Sequence, residues 1–494
     1  MISKRYKLAG ALAVATLLST GCTVGPNYKR PAAPVPPAFK ELPPSGTQDG
    51  WKEATPSDAL LKGKWWEIYN DPALNALEEQ VAINNQNVLV AEANFREARA
   101  AVRVSRAALF PTVGTGPSLN ENIASINNTG NAAAAAAASN FRTSISLPIS
   151  ASWEPDIWGS IRRSVTASSA VAQASAAQLE NARLLYQSIL AEDYFNLHGI
   201  DSEYELLDRT AKNYQEFLTL TRNRFRGGVA SDLDVAQAES QLYGTQAALE
   251  DLGIARAQFE HAIAVLTGKP PSALDIPALV LKNPPPEVPV ALPSVLLERR
   301  PDIAAAERQM QAANEQIGIA TAAYYPALSL SASLGLTATG FTSWPARFFS
   351  VGPALAETLF DAGRRRGVLA ETQAAFDSTI AAYRQTVLTA FQQVEDNLAA
   401  LHVLAGEAQT TTQAVASSER ALTVSTAQYK AGTTSYLTVI TAQATALSAE
   451  RNAVSLLTRR LVASVALVQA LGGGWDISQL PTMKDVQAKS NTNK

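Results

Sequence analysis

The sequence predicts an α+β membrane protein built from two internal repeats, in which very long helices alternate with short strands. Three observations carry this prediction: apolar residues recur every seven positions, short segments alternate apolar and polar residues, and the same series of patterns occurs twice. The chain has 494 residues, of which 47% are hydrophobic and only 7% aromatic. This composition suits long helices with small contact residues better than a large aromatic core.

Charge and cysteine content exclude several classes of protein. The net charge is −3, which argues against a nucleic-acid binder that works through a basic face. A single cysteine excludes a disulfide framework and a multi-thiolate metal site. The three histidines, His198, His261 and His402, are far apart, and we find no convergent acid–base set. We therefore expect no enzyme, no cofactor and no metal site.

The segment 1–21 is typical of a secretory signal. Lys4, Arg5 and Lys7 precede an apolar run over 8–18 that is too short to span a bilayer. The run ends in Gly21 and Cys22, and this end looks like a bacterial lipobox in which Cys22 becomes the lipidated first residue, with palmitate as one acyl chain. The alternative is a plain signal with an incidental cysteine. Threonine after the cysteine favours delivery to the outer membrane.

Proline-rich stretches divide the mature chain. We predict an extended N-terminal segment at 22–64, a first repeat at 65–267, a linker at 268–294, a second repeat at 295–471 and a polar C-terminal tail at 472–494. Three pairs of motifs support the duplication: ALFP at 108–111 with AYYP at 323–326, IWGSIRR at 157–163 with LFDAGRR at 359–365, and FRGGVAS at 225–231 with YKAGTTS at 429–435.

Seven-residue apolar ladders predict the long helices. One ladder begins at Leu74, a second at Leu190, a third at Leu296 and a fourth at Val387. A seven-residue period sustained this long indicates left-handed coiled-coil packing, although an ordinary helical bundle has the same period. The proline-free segment 160–227 could form one helix of about 100 Å.

Period-two segments at 141–153 and 328–337 predict strands with one apolar and one small polar face, and less regular partner strands are expected at 113–123 and 349–360. Lipid on one face and water on the other would give this pattern, and so would a half-buried strand of a soluble protein. A sheet in hydrocarbon must close, and barrels start at about eight strands. Four strands per chain therefore imply an oligomer, and three chains would supply twelve.

Several motifs in order resemble the outer-membrane factor family, the TolC-like channels, in its lipoprotein branch of drug-efflux proteins. They are GCTVGPNYKRP at 21–31, WW at 65–66 with DPAL at 71–74, ERRPDI at 298–303, LFDAGR at 359–364 and YKAG at 429–432. The resemblance covers nearly the whole mature chain. It implies a homotrimer with a twelve-stranded outer-membrane barrel and a long periplasmic coiled-coil tube. The expected partners are a periplasmic adaptor (membrane fusion protein), an inner-membrane pump of RND type and outer-membrane lipid.

The resemblance also implies a gate where the two helix pairs turn. The turns match Gly227, Gly228 and Gly432, and Leu437 matches a constricting apolar position flanked by Tyr436, Thr438 and Thr441. An apolar ring excludes water and so blocks ions. Tyr429 and Asp234 match a hydrogen-bonded latch; the alternative makes Tyr429 a helix contact and Asp234 a helix cap. The family often has aspartates where Thr438 and Thr441 stand, so the acidic ring is weakened or moved to Asp232 and Asp234.

Arginines follow the strands where each long helix begins: Arg162, Arg163, Arg364, Arg365 and Arg366. Because cations oppose the dipole at a helix N-terminus, we expect these arginines to interact with negative charges, either lipid phosphates or solvent counterions around a basic collar.

Passive efflux of drugs, solvents or other toxic compounds is the main functional hypothesis. The alternatives are a duct for type I protein secretion and a lipid-anchored periplasmic scaffold without a pore.

Overall fold

A computed structural model of the chain describes residues 23–41, 63–122, 142–288, 298–341 and 343–488. Cys22 and the signal segment lie outside these ranges, so their processing and lipidation stay predictions. In chain order the helices and strands are α1 (Pro72–Asn84), α2 (Gln86–Ala107), β1 (Thr112–Thr115), β2 (Ser118–Asn122), β3 (Arg142–Trp153), α3 (Ser160–Arg226), α4 (Asp232–Leu266), α5 (Pro301–Ala322), β4 (Ala327–Thr339), β5 (Ala346–Ala356), α6 (Arg364–Lys430), α7 (Tyr436–Ala470) and α8 (Met483–Gln487). Short 3-10 turns lie at Trp65–Tyr69, Pro271–Ala273 and Ile477–Gln479.

The two halves of the chain repeat the same elements at the same lengths. Helices α3 and α6 both have 67 residues, α4 and α7 both have 35, and α2 and α5 both have 22. Aligning the first residues of α3 and α6 also aligns those of α4 and α7. The motif alignment predicted at the start of the long helices, 157–163 with 359–365, is shifted by two residues from the correspondence that the structure shows. Gly159 corresponds to Gly363, because both cap a helix in the left-handed region, at φ of +81° and +90°.

The apolar ladders lie where the helices pack against one another. In α3, Leu190, Leu197 and Leu218 are fully buried, and Val387 and Val394 of α6 are buried against α5 and the N-terminal segment. Farther along α6, the ladder residues between 401 and 422 are only half-buried. The second hairpin therefore has a flank that the described residues of one copy cover only in part.

One antiparallel sheet contains all the described strands. Its order is β1–β3–β4–β5, and β2 also pairs with β3. β1 and β2 keep one register against β3 and are separated only at Gly116 and Pro117, because proline has no N–H to donate. The structure has strands in all four predicted regions. The bounds of the last one were wrong: 349–360 was predicted, whereas β5 is Ala346–Ala356 and ends opposite Ala327, the first residue of its partner β4.

The two faces of the sheet differ in chemistry. Paired residues share a face, and the register places Ile149 of β3 opposite Leu334, which in turn lies opposite Phe349. Leu334 and Phe349 are 51% and 71% exposed. The opposite face consists mainly of serine, threonine, glycine and alanine, for example Ser150 opposite Ser333. Among the described residues of one copy, nothing covers the apolar face or pairs with the two edges, β1/β2 and β5.

Helix α7 is the one helix in the described ranges that is long and apolar enough to cross a membrane by length and composition. It packs along α6 and α3, and 44% of its most apolar window is buried inside the protein. Packing in the helical bundle therefore covers part of its apolar surface.

The first and last described segments of the chain are bound to the bundle. Residues 23–41 run along α5 and α6, where Phe39 is buried against Phe391 and the backbone N–H of Lys40 donates to Glu395 at 2.7 Å. The predicted polar tail is only partly a tail. Val486 of α8 is buried against α2 and α3, because the segment 475–488 carries enough apolar surface to dock there.

Candidate functional site

Both long hairpins turn in the same way at the end far from the sheet, which we call the tip. α3 and α6 are each followed by a glycine in the left-handed region, Gly228 at φ +75° and Gly432 at φ +77°. The N–H of Val229 donates to the carbonyl of Arg224 at 2.9 Å, a Schellman cap that the second hairpin repeats. Gly227 has an ordinary φ of −81° and corresponds to an alanine, so only two of the three predicted turn glycines are required by the backbone.

Three buried tyrosines hold the two hairpins together near the tip. Tyr214 of α3, Tyr429 of α6 and Tyr436 of α7 belong to one core cluster, and the rings of Tyr429 and Tyr436 are 5.4 Å apart. Arg224 lies over the Tyr429 ring at 4.6 Å and donates from Nη1 to the Tyr429 carbonyl at 3.0 Å. Sequence analysis missed Arg224, whose only signal is its place in the last turn of α3.

The predicted hydrogen bond between Tyr429 and Asp234 is not formed in this structure. The Tyr429 hydroxyl is buried without a hydrogen-bond partner among the described residues. Asp234 instead accepts from the N–H of Ser231 at 2.9 Å, and Ser231 accepts from the N–H of Asp234 at 3.2 Å, which is a capping box at the start of α4. The structure therefore matches the alternative interpretation, in which Asp234 caps a helix and Tyr429 is a packing contact between helices. The cap forms because Ser231 lies within the same turn as Asp234 and satisfies its carboxylate locally.

Two tyrosines of this cluster, Tyr214 and Tyr436, are neutral phenols. Burial, followed by the nearby Tyr429, Tyr214 and Asp234, raises the pKa of Tyr436 to about 12. Burial and Glu450 raise the pKa of Tyr214 to about 12 as well. Both phenols therefore stay neutral at physiological pH, and Arg224 supplies the charge of this contact.

Leu437 lies on an exposed face of the second hairpin. It is 60% exposed, and Thr438 and Thr441 are exposed beside it. The predicted gate residue Tyr436 is not on this face: it is only 2% exposed and packs inward, since successive residues of a helix point about 100° apart. An open groove between α6 and α7 is lined by Ser418, Ala421, Ser425, Leu437, Thr438, Thr441, Ala442 and Thr445.

The start of each long helix pairs an arginine with an aspartate. Arg162 Nε lies 3.0 Å from Asp156, and Arg365 Nε lies 2.8 Å from Asp361. Each aspartate also accepts hydrogen bonds from backbone N–H groups of the first helical turn. Its negative charge therefore stabilises both the positive end of the helix dipole and the arginine. Burial alone would raise the pKa of Asp361, but the bonds from Arg365 and Gly363 lower it.

The five arginines do not form one collar. Arg364 and Arg366 are exposed, as predicted for a basic collar. Arg163 is buried: its Nη1 lies 2.7 Å from Glu315, and its other nitrogens donate to the carbonyls of Val24 and Gly25. Arg163 was therefore wrongly assigned to the collar, because its side chain turns inward between α3 and α5. It joins the N-terminal segment to both helices.

A second buried charge cluster was also missed by sequence analysis. Asp201 of α3 accepts from Arg256 of α4 at 2.8 Å, contacts His198 at 2.9 Å and accepts the N–H of Leu279 in the linker. Burial would raise the pKa of Asp201, but the bonds from His198 and Arg256 lower it. The only sequence signal is that Arg256 interrupts an apolar ladder. The cluster fixes the linker to the first hairpin.

The described residues contain no group of three or more His, Cys, Asp or Glu side chains placed to hold a metal ion. The Arg224–Tyr429 contact at the tip, the Arg163 cluster and the Asp201 cluster each join one element to another. The arrangement holds two long hairpins together and leaves a groove exposed at their tip.

Comparison with known proteins agrees with this description. The family model described as outer membrane efflux protein matches residues 77–269 and 292–473. The chain is 31% identical over 478 residues to the toluene efflux pump outer membrane protein TtgC of Pseudomonas putida, covering 94% of this chain and 95% of the relative. It is 30% identical to the outer membrane protein OprJ of Pseudomonas aeruginosa, covering 94% and 95%.

Solved structures give the same result. The outer-membrane channel OprN superposes with a TM-score of 0.81 at 29% identity, covering 92% of this chain and all of that one. The open state of the MtrE outer membrane channel of Neisseria gonorrhoeae superposes with a TM-score of 0.76 at 26% identity, covering 92% and 99%. The chain therefore belongs to the outer membrane efflux protein family and is the outer-membrane channel component of an efflux system.

Proposed function

We propose that three copies of the chain close their sheets into one twelve-stranded barrel in the outer membrane and continue below it as a periplasmic helical tube. The observation that carries this proposal is the sheet itself, which has an uncovered apolar face, a small polar face and two unpaired edges. Unpaired edges are not tolerated in hydrocarbon. Pairing β5 of one copy with β1/β2 of the next removes both edges and puts the serine-rich face inside.

We propose that Cys22 is lipidated and anchors the barrel at its inner rim. The support is the position of the residues that follow it. The N–H of Val24 donates to the Trp158 carbonyl at 3.2 Å, and Thr23 packs against Gly159 at the junction between sheet and helix. The proposal keeps the predicted division of the chain: a signal at 1–21, an extended segment at 22–64, a first repeat at 65–267, a linker at 268–294, a second repeat at 295–471 and a C-terminal region at 472–494.

The proposed cargo is small molecules such as drugs and solvents, delivered by a periplasmic adaptor and an inner-membrane pump of RND type. The relatives named above include a toluene efflux protein, which favours small molecules over secreted proteins. The lower second hairpin supports the same proposal, because Lys430 is the only charged residue between 421 and 449. A wall without acidic groups selects little by charge, and we infer a weaker cation preference than in an acid-ringed channel.

In this proposal, Leu437, Thr438 and Thr441 line the closed tip, and Asp232 with Asp234 supplies the nearest acidic groups. An apolar side chain from each of three copies would exclude water from the narrowest point. Tyr436 is left out of the constriction. It supports the gate from behind, through its contact with Tyr429.

Leu437→Gly is expected to give a larger single-channel conductance in planar bilayers than the unchanged protein. Removing three exposed leucines takes away the apolar ring and lets water into the constriction. Purified protein reconstituted into bilayers at fixed salt provides the measurement, and it tests the proposed function directly.

Leu233→Gly is the matched control. Leu233 is the residue of the first hairpin that corresponds to Leu437, it is 65% exposed and it lies at the same distance from its own turn. It should leave the conductance unchanged. Equal effects of the two variants would move the gate away from the second hairpin, and the absence of any conductance would reject the channel.

Arg224→Ala is expected to raise the frequency of channel openings, whereas Tyr429→Phe should change it little. The alanine removes a hydrogen bond from a charged donor, about 1.5–3 kcal/mol, together with the stacked guanidinium, while the phenylalanine removes a hydroxyl that has no partner among the described residues. A change of about 1.4 kcal/mol corresponds to about tenfold in the ratio of open to closed states. If Tyr429→Phe opened the channel as much as Arg224→Ala, a latch through the tyrosine hydroxyl would be the better description.

A further inference from the structure

The internal repeat relates contacts as well as lengths. The first half of the chain corresponds to the second half in two blocks. In one block, α2 and the strand after it correspond to α5 and β4, counted from the first residue of each helix. In the other, α3 and the strand before it correspond to α6 and β5, counted in the same way. Together the two blocks carry the pair Thr112 and Ser152 onto Ala327 and Ala356, which are paired in the structure. Contacts seen once in a protomer can therefore be transferred to corresponding positions.

The helices next to the sheet follow the same order as the strands. α2 packs on α3, α3 packs on α5 and α5 packs on α6, so α2 and α6 lie at the two free flanks, below the free edges β1/β2 and β5. When the sheet closes by joining copies, α6 of one copy comes to lie beside α2 of the next. This contact between copies corresponds to the contact of α3 with α5 inside one copy.

An arginine fills a glycine socket at the α3–α5 contact. Arg163 of α3 crosses α5 over Gly318, and a β-carbon at position 318 would overlap its side chain. The guanidinium pairs with Glu315 on α5 at 2.7 Å, one turn farther from the sheet than the glycine. Glycine is required here because the arginine must pass directly over the backbone of α5.

The corresponding positions hold the same residue types on opposite helices. Arg163 corresponds to Gly367 of α6, and Gly318 corresponds to Arg103 of α2. Gly367 has open space around it, and Arg103 is exposed with no ion-pair partner among the described residues. Glu371 lies one turn farther from the sheet than Gly367 and is likewise exposed and without an ion pair in the described ranges.

The apolar residues of the same flank fit this correspondence. Within one copy, Ala304 and Ala305 of α5 are 1% and 5% exposed and pack close to Ala177 of α3. They correspond to Leu89 and Val90 of α2, which are 39% and 58% exposed. The described residues of one copy leave these two side chains partly uncovered, and a second copy would cover them.

We propose that Arg103 of one copy lies over Gly367 of a second copy and pairs with Glu371 of that copy. Within one copy the arginine is on the long helix and the glycine on the shorter helix; between copies the two residue types are the other way round. The proposal rests on the closed trimer proposed above and specifies how its copies recognise one another. Arg99, which is partly exposed, lies one turn from Arg103 and adds positive charge to the same flank.

Disulfide cross-linking of the full chain in outer membranes tests the proposal. Arg103→Cys combined with Gly367→Cys should give covalent dimers and trimers on non-reducing gels, because side chains in this socket approach within the reach of a disulfide. Arg103→Cys combined with Gly406→Cys, which lies far below α2 on the same long helix as Gly367, should give monomers only, as should each single variant. The single variants also control for the native Cys22.

Charge reversal provides the second measurement. Arg103→Glu and Glu371→Arg should each lower the trimer fraction in detergent about tenfold or more, and the double variant should restore it. A particle with the mass of three chains that fails to cross-link at 103 and 367 would overturn this contact and leave the trimer intact. A particle with the mass of one chain would overturn both the contact and the proposed channel.

Discussion

Replacing Glu315 with alanine is expected to lower the free energy of unfolding by about 3–5 kcal/mol, the cost of leaving a buried charge without its partner. The Arg163 and Glu315 side chains are only 5% and 10% exposed, and their ion pair measures 2.7 Å. The same guanidinium also holds Val24 and Gly25, so the N-terminal segment should loosen as well. Thermal or denaturant unfolding in detergent, followed by circular dichroism, provides the measurement.

Glu407→Ala is the control for this experiment. Glu407 pairs with Arg459 at 3.6 Å, but both side chains are about half exposed, and such pairs contribute about 1 kcal/mol or less. Glu315→Gln should fall between the two variants, since the amide keeps the shape and one hydrogen bond without the charge. A loss for Glu315→Ala no greater than that of the control would mean that water reaches Arg163.

Glu78→Gln is expected to stabilise the protein at neutral and alkaline pH. Glu78 is fully buried in α1, and neither carboxylate oxygen has a partner among the described residues. Burial raises the pKa of Glu78 well above its ordinary value of 4.5. The folded state therefore holds this proton more tightly than the unfolded state. The stability that comes from this tighter proton binding is fully present below the pKa of Glu78 in the unfolded state. It is lost as pH rises through the pKa of Glu78 in the folded state.

The size of the effect grows with pH. Each pH unit above the unfolded pKa, while the folded carboxyl stays protonated, costs about 1.4 kcal/mol. Unfolding curves of both proteins, recorded between pH 5 and pH 8, should diverge as pH rises. Glu79→Gln is the control, because Glu79 is the next residue, is half exposed and pairs with Lys64. An unchanged pH slope in Glu78→Gln would show that Glu78 is solvated.

Periodicity was enough to predict most of the fold. The seven-residue ladders and the Gly228 and Gly432 turns fix the long hairpins, because helix period and caps are local properties of the chain. The alternating segments fix the strands for the same reason. The last strand was misplaced because its end depends on where β4 begins, which is a property of pairing.

The candidate site was less predictable. Whether Tyr429 meets Asp234 or Arg224 depends on how two hairpins rotate against each other, and residue type alone does not determine this. Asp234 was assigned to a latch although a serine three residues before it could form a capping box. Arg163 and Arg162 are adjacent and of the same type, yet one points into the protein and the other pairs at the surface. Only packing separates them.

Equal hairpins have a consequence for how such a conduit can vary in reach. Since the helices pack with a seven-residue period, inserting or deleting seven residues in a long helix changes its length by about 10 Å and restores the same side chains to the same faces. A number that is not a multiple of seven would rotate the helix beyond the change and turn its apolar residues away from their partners. The first and second hairpins must change together, in both their descending and ascending helices, or the rim presented to the rest of the assembly would no longer be level.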